Sequence, residues 1–331
     1  MAAIVILNYN GATYLKEFLP TVISFSEGHS IYVADNASTD TSLEVLSTFG
    51  KRIDVISLPK NVGFAEGYNQ ALAQIDHEEI ILLNSDVLVT ENWIDPCLHR
   101  LNSSPKIVAV QPKIKSYHTP NEFEYAGAAG GSMDFLGYPF CRGRIFDTCE
   151  KDTNQYNDAL PIFWATGACM FIKKSAFHEI GGFDGLFFAH MEEIDLCWRW
   201  QRAGFSIFYE PESSVYHVGG GTLSVDNPFK TYLNFRNNLA MLYKNLAIYT
   251  LVPIIFARLC LDGIAGIRLL LQGKPKLMWA IVQAHGGFYK LLFALKREGN
   301  YNVNLRTIYR KSILWEYFMN KKRTFNQLKF K

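Results

Sequence analysis

Amides and carboxylates cluster at four places early in the chain, each just behind a short aliphatic run. Asn8-Tyr9-Asn10-Gly11 follows the first run, Asp35-Asn36-Ala37-Ser38-Thr39-Asp40 the second, Asn61-Val62-Gly63-Phe64 the third and Asn84-Ser85-Asp86 the fourth. If the runs are parallel strands of an open sheet, the four segments share one rim, because such sheets bind ligands outside the carboxyl ends of their strands. A nucleoside diphosphate needs three things there: an acceptor for base or ribose donors, close backbone approach at the phosphates, and a cation to neutralise them. Asp35 suits the base or ribose hydroxyls, and Asp86 suits a divalent cation, since hard ions favour carboxylate oxygen. Asn8, Asn10, Asn61 and Gly63 are expected to line the same substrate rim. One acid behind one strand is more often a turn or cap residue; the joint placement argues for a site.

A second constellation comes later, in Trp164-Ala165-Thr166-Gly167, Gly181-Gly182-Phe183-Asp184 and His190-Met191-Glu192-Glu193-Ile194-Asp195-Leu196. Acids packed as closely as Glu192, Glu193 and Asp195 repel one another unless a helix N-terminus, a cation or solvent compensates. Phe187, Phe188, Ile194, Cys197, Trp198 and Trp200 surround them, so at least one carboxylate is expected to face a cleft. Such a group can take the proton of an acceptor hydroxyl as it attacks an anomeric carbon, which is general-base catalysis. Glu193 is the expected base, and Asp195, four residues before Arg199, is expected to form a structural ion pair. Trp164, Gly167 and Glu192 are placed with the substrate. Finally, Tyr216-His217-Val218-Gly219-Gly220-Gly221-Thr222 sets a histidine before a glycine run. The glycines would let a loop close over phosphates, and His217 would complete a metal site with Asp86.

The elements that must position these groups follow from periodicity. Up to about Lys113, aliphatic runs alternate with helical patterns, the mark of a parallel sheet built from βαβ units. Strands are expected near Ala3 to Leu7, Ser30 to Ala34, Ile53 to Leu58, Glu79 to Leu83 and Ile107 to Gln111, with Thr41 and Glu44 as a capping box between the second and third. Residues 114–160, rich in Gly, Tyr, Asp and Asn, read as a loop facing the acceptor. Phe163 to Ile172 reads as a strand, Glu192 to Arg202 as a helix stopped by Gly204, and the chain from Phe229 onward as helical. The expected architecture is α/β, a mostly parallel central sheet flanked by helices over residues 1–225, with a helical, amphipathic, basic region over 226–331.

Bulk properties narrow the partners. With 331 residues and a formal net charge of +2, the chain gives no electrostatic reason to expect nucleic acid. Six cysteines without a CxxC pair read as reduced, which points to a cytoplasmic setting. The opening apolar run is too short for a secretory signal and reads as a buried strand, and no run of apolar residues is long enough for a membrane span. The last third instead sets Leu251, Ile254, Ile255, Trp279, Val282, Phe288 and Tyr289 beside Arg258, Arg268, Lys296 and Arg297, ahead of a basic tail. Such a surface suits the inner face of a membrane, apolar groups entering the acyl boundary and cations meeting anionic head groups.

Taken in order, Val5-Ile6-Leu7-Asn8-Tyr9-Asn10, Asp35-Asn36-Ala37-Ser38, Asn61-Val62-Gly63-Phe64-Ala65 with Asn69, Leu83-Asn84-Ser85-Asp86 and Phe187 to Cys197 resemble the motifs of family 2 glycosyltransferases. The likeness covers roughly residues 2 to 225 and is strongest to the rhamnosyltransferase-like branch. It implies a GT-A fold and inverting transfer from a nucleotide diphosphate sugar to a saccharide or lipid-linked acceptor in surface polysaccharide synthesis. By the same resemblance Asp35 contacts the base, Asn84 and Asp86 form the Asp-x-Asp-like segment, Asp86 holds Mg²⁺ or Mn²⁺, Glu193 is the base and His217 stands near the metal. Asn84 replaces the first acid of that segment, Glu193 stands where Asp is commoner, and Tyr68 stands where many relatives carry Arg. The competing readings are a sugar nucleotidyltransferase, which predicts a basic glycine-rich loop that Asn8 to Tyr14 lacks, and a noncatalytic carbohydrate-binding protein. A two-carboxylate glycosidase would leave the nucleotide-like rim unexplained.

Overall fold

A computed structural model describes residues 1–219, 226–297 and 307–330. Its first half alternates strand and helix: β1 (Ala3–Asn8), α1 (Ala12–Ser24), β2 (Ser30–Asp35), α2 (Ser42–Ser47), β3 (Asp54–Ser57), α3 (Gly63–Leu72), β4 (Glu79–Asn84), β5 (Val87–Val89), α4 (Asp95–Asn102) and β6 (Ile107–Ser116). Four short strands follow, β7 (Gly131–Asp134), β8 (Pro139–Cys141), β9 (Arg144–Ile145) and β10 (Thr148–Cys149). The chain then re-enters the main sheet through β11 (Leu160–Ile162), β12 (Cys169–Lys173), α5 (Lys174–Glu179), α6 (Glu192–Arg202) and β13 (Ser206–His217). Three long helices, α7 (Pro228–Asn245), α8 (Ile248–Leu271) and α9 (Pro275–Leu291), precede β14 (Ile308–Tyr309).

The main sheet runs β11-β13-β6-β12-β4-β1-β2-β3, with β5 added beside β13. Its β4-β1-β2-β3 half is parallel throughout, because helical crossovers return each strand to the same end. Beyond β4 the sheet is mixed, since β12 enters antiparallel to both β4 and β6. Fully buried aliphatics such as Ile4, Val5, Ile81 and Leu82 fill both faces, which is why the strands read as continuous apolar runs rather than alternating ones.

Several expectations are corrected. Residues 114–160 are not simply loop: β7 to β10 form a second sheet, completed by β14 in parallel with β7. Strands of two to four residues separated by turns carry too little periodicity to be seen in sequence. Residues 163–168 are not strand. Their backbone groups are taken elsewhere, Phe163 N by Gly131 O (2.8 Å) and Thr166 N by the side chain of Gln111 (2.9 Å). Thr41 makes no side-chain cap at α2; the Asp40 carboxylate accepts from Ser42 N (2.9 Å) and Ala12 N (3.1 Å), the stronger, charge-assisted alternative. The chain after Phe229 is not helical to its end, since β14 lies beyond α9. Leu239, Met241, Leu242 and Phe288 from the helices share one core with Val5, Leu82 and Trp200.

Candidate active site

At the carboxyl rim of the parallel strands, Asn8 pairs in register with Asp35, and Leu7 with Asn84. Asp35 is 2 % exposed; its Oδ1 accepts from Asn8 Nδ2 (3.0 Å) and its Oδ2 from Ser38 N (3.0 Å). Asn8 also donates to Ser38 Oγ (3.1 Å), and Asn10 Oδ1 accepts from Thr39 N (2.7 Å) and Asp40 N (3.3 Å). Asn8 and Asn10 therefore staple the loop after β1 to the loop after β2. An ionised carboxylate has about four acceptor positions, so Asp35 keeps capacity for a ligand hydroxyl or amide. Asn36 extends the seam. It donates to Asn61 Oδ1 (3.1 Å) and Gly63 O (3.1 Å) and accepts from Val62 N (3.0 Å), while Asn61 Oδ1 also accepts from Gly63 N (2.9 Å).

Asp86 lies between β4 and β5, and β5 pairs with the end of β13 so that Val87 faces His217. This register brings Asp86 Oδ1 to 3.2 Å from His217 Nε2, with Glu124 Oε1 3.5 Å from Nδ1 on the other side. All three side chains are buried. Burial alone would lower the imidazole pKa, but the Asp86 and Glu124 carboxylates on either side of the ring outweigh it and raise the pKa to about 10. Among the described residues no group of three His, Cys, Asp or Glu side chains is arranged to hold a metal ion. A carboxylate oxygen beside an imidazole nitrogen is a donor pair that a divalent ion could use only after displacing the ring proton. Glu124 stands where a second carboxylate commonly fixes the far ring nitrogen of a ligating histidine. Gly219 has φ +72°; Gly220, Gly221 and Thr222 of the expected phosphate loop lie outside the described residues.

The acids of the second constellation open α6. Glu192 is buried, and burial, followed by the charges of Glu193 and Asp195, holds its carboxyl well above the usual range. Glu193 is partly exposed as a residue, yet its Oε2 is shielded from solvent and without a hydrogen-bond partner. Burial pushes its pKa to about 7, against the opposing pull of backbone amides in the first helical turn. Asp195 behaves in the opposite way. Burial would raise its pKa, but Arg199 Nε (2.8 Å) and Lys244 Nζ (2.9 Å) hold it below the ordinary value, and Asn245 donates to its other oxygen (2.8 Å). The expected Asp195–Arg199 pair is present, joined by a lysine from α7.

The backbone leading into α6 is strained. Phe188 (φ 65°, ψ −62°), His190 (φ 69°) and Met191 (φ 72°) are non-glycine residues at positive φ. Ala189 N donates to Phe187 O (2.8 Å), closing a γ-turn of the uncommon hand. Each such residue costs about 1–3 kcal/mol and persists only where its surroundings over-determine it. Part of that support is Gly63, φ +84°, on which a Cβ would lie 2.5 Å from Phe188 O. The same Phe188 O accepts from Phe64 N (2.6 Å) and Ala65 N (3.2 Å) at the start of α3. His190 is half-buried with its Nε2 shielded, and desolvation followed by the charge of Lys230 lowers its pKa to about 4. The chain from Asp35 through Asn36, Asn61 and Gly63 to Phe188 is thus one bonded seam joining the rim to the α6 loop. A surface depression of about 550 Å³ borders the loop at Phe188 and another of about 600 Å³ lies between α7 and α9; neither is lined by Asp35, Asp86 or Glu193.

Other expected site residues have structural surroundings. The Trp164 indole packs on Gly131 and donates to Ser132 O (2.9 Å). Gly167 faces the Phe64 ring, and the neighbouring Ala168 O accepts from Asn84 N (2.9 Å) at the end of β4. Tyr68 is a buried strut whose hydroxyl donates to Leu83 O (3.2 Å). Sequence reasoning assigned no role to Asn36, Glu124, Asn237 or Lys244. Asn36 stood inside a quoted motif and was the one with a visible signal.

Comparison with known proteins adds the following. The family model described as Glycosyl transferase family 2 matches residues 3–181. The N-acetylglucosaminyl-diphospho-decaprenol L-rhamnosyltransferase of Mycobacterium tuberculosis is 27% identical over 233 residues, covering 65% of this chain and 75% of its own. Rhamnosyltransferase WbbL of Escherichia coli is 25% identical over 228 residues, covering 66% and 83%. A crystal structure of GalNAc-T7 with UDP, GalNAc and Mn²⁺ superposes with a TM-score of 0.60 at 16% identity, over 75% of this chain and 48% of that one. That likeness establishes the fold: a GT-A core carrying a helical C-terminal region.

Proposed function

Because the chain belongs to glycosyl transferase family 2 and is a glycosyltransferase, we propose that it moves one sugar, with inversion, from a nucleoside diphosphate to a saccharide or lipid-linked acceptor in surface polysaccharide synthesis. The observation that carries this reading is Glu193: a carboxylate with one shielded, unpartnered oxygen and a pKa near 7, at the end of a strained loop bonded to the nucleotide rim. Residues 1–225 are the nucleotide-sugar and catalytic unit and 226–331 the helical, amphipathic, basic C-terminal region. Similarity to the two rhamnosyltransferases supports a deoxyhexose donor, and the name of the mycobacterial relative supports a polyprenyl diphosphate-linked acceptor.

Asp35, oriented by Asn8 and Ser38, receives the base or ribose, and Asn10, Asn61, Gly63 and Asn84 shape the rim around it. Asp86 and His217 would hold Mg²⁺ or Mn²⁺, which when bound neutralises the diphosphate as it leaves. Glu193 accepts the acceptor hydroxyl proton, its raised pKa matching a base that works near neutrality. Glu192, protonated beside it, avoids a second negative charge and is left as a hydrogen-bond donor to substrate. Trp164 and Gly167 act one step back, by fixing the turn against β4.

No helix among the described residues is long and apolar enough to cross a membrane. The outer faces of α8 and α9 support peripheral contact with the inner face of a membrane, as a cytoplasmic enzyme using a lipid-linked acceptor requires. Release of free nucleoside diphosphate, measured with nucleotide sugar, acceptor and Mn²⁺, tests the reaction. Asp86→Ala and Glu193→Gln are each expected to lower turnover by about two to four orders of magnitude with the fold intact. Wild-type turnover in either variant removes that residue from the mechanism. Absence of nucleoside diphosphate release with any donor favours the carbohydrate-binding alternative.

A further inference from the structure

The loop that delivers Glu193 has no ladder of its own. Residues 187–191 lead into α6, and beyond the Ala189 N–Phe187 O bond of the turn and the Asp195 N–Met191 O bond of the helix their carbonyls need partners from elsewhere. One side chain from α7 meets most of that need. Asn237 is fully buried, and its Nδ2 lies 2.9 Å from Phe187 O, 2.8 Å from Ala189 O and 2.8 Å from His190 O. All three neighbours are acceptors, so the amide has a single sensible orientation, nitrogen toward the loop. Its Oδ1 accepts from Arg236 Nε (2.8 Å), and Arg236 Nη2 donates onward to Leu186 O (3.1 Å) and Phe187 O (3.0 Å).

The bonded carbonyls bracket the residues whose φ is positive, Phe188, His190 and Met191. Strained backbone relaxes when its partners are removed, and relaxation here would turn the first residues of α6. Asn238, the next residue, serves a different contact: it donates to Gly137 O (2.9 Å) and accepts from Arg258 Nη1 (2.5 Å). The family match ends at residue 181, so Asn237 stands outside the residues that carry the family signature.

We propose that Asn237 is a positioning residue for the transfer step: its amide holds the 187–191 turn in the shape that directs Glu193 at the acceptor hydroxyl. The proposal rests on Glu193 being the base. It predicts a loss in turnover with donor binding largely kept, because Asn237 bonds the carbonyls of Phe187, Ala189 and His190 and none of Asn8, Asp35, Asn36, Asn61 or Gly63.

The experiment measures kcat, donor KM and nucleoside diphosphate affinity for Asn237→Ala and Asn237→Ser, alone and combined with Glu193→Gln. A displacement of about an ångström at a reacting group can cost about a hundredfold, so kcat is expected to fall by about that factor in Asn237→Ala. It should fall by less in Asn237→Ser, which keeps one donor and serves if the alanine variant does not fold. Donor KM and nucleotide affinity should stay within about twofold. Leu251→Ala, a buried change on α8 that removes no hydrogen bond to the loop, provides a destabilised control that should keep its kcat. In the Glu193→Gln background the Asn237 change should cost almost nothing further, since both act through one group. A folded Asn237 variant with wild-type kcat overturns the proposal, and so does an equal fall in the presence and absence of Glu193. Wild-type turnover in Glu193→Gln alone instead removes the base assignment, a separate failure identified by its own variant.

Discussion

Glu192 and Glu193 are neighbours in sequence with different electrostatic consequences. Glu193 must be deprotonated to work, so kcat is expected to rise with pH through about 7, where the carboxyl titrates in the fold. A pH profile whose acid limb falls at the ordinary carboxylate value would contradict that role; the limb reports the pair of acids rather than one of them. Glu192 bears on stability. It ionises in the unfolded chain above its ordinary value of 4.5 and stays protonated in the fold, so the folded state binds the extra proton and stability is lost as pH rises. Glu192→Gln should therefore melt with the wild type near about pH 4 and a few degrees higher near about pH 8; equal melting at both would show that Glu192 is not held neutral. The shielding of the acids that open α6 was legible in sequence, because aromatic residues surround them on either side. Glu124 was not, since nothing local marks an insert residue that reaches His217 across the fold.

At the scale of elements, the parallel half of the sheet was readable because β1, β2 and β4 are rich in buried aliphatics and alternate with helices, while β3 is the exposed edge. The second sheet was not, because its strands are only two to four residues long and its last strand, β14, comes from far away in the chain. The strained entry to α6 was equally hidden: positive φ at Phe188, His190 and Met191 is imposed by contacts with α3 and α7, not chosen by those residue types. Gly63 is the sequence's one visible trace of it. Gly63→Ala combines an unfavourable φ with a Cβ 2.5 Å from both the Phe188 ring and its carbonyl, so the γ-turn must shift. Turnover is expected to fall by about a hundredfold, with a loss of stability of about 1–3 kcal/mol. Denaturant titration and steady-state rates check both; a variant as active as wild type would show that the loop's geometry does not matter to the reaction.

For the whole molecule, the question is what covers the outer side of the C-terminal helices. Arg258 and Asp262, which interrupt the apolar run in sequence, point inward: Arg258 donates to Leu136 O (3.1 Å) and stacks 3.8 Å over Tyr138, and Asp262 is buried beside it. The opposite face of α8 is therefore left to solvent, with Val252, Phe256, Ile264, Ile267 and Leu271 between 60% and 83% exposed at helical spacing. Trp279, Val282 and Tyr289 continue the exposed apolar surface on α9, and Arg268, Lys274, Lys276 and Lys290 are exposed on the same two helices or the turn between them. Aromatic and aliphatic groups bordered by cations match an anionic bilayer surface, where each nearby basic residue contributes about 1 kcal/mol. The chain is expected to sediment with vesicles of phosphatidylcholine and phosphatidylglycerol, less with phosphatidylcholine alone, and less again at high salt, because the charge attraction is screened. Replacing Phe256, Ile264 and Ile267 together with serine should abolish sedimentation with the vesicles while leaving turnover on a short, water-soluble acceptor unchanged, since none of the three touches the 187–191 loop or the nucleotide rim. If the wild type ignores anionic vesicles and the triple variant instead converts a dimer to a monomer in analytical ultracentrifugation, the face buries a second copy of the chain and the membrane assignment fails.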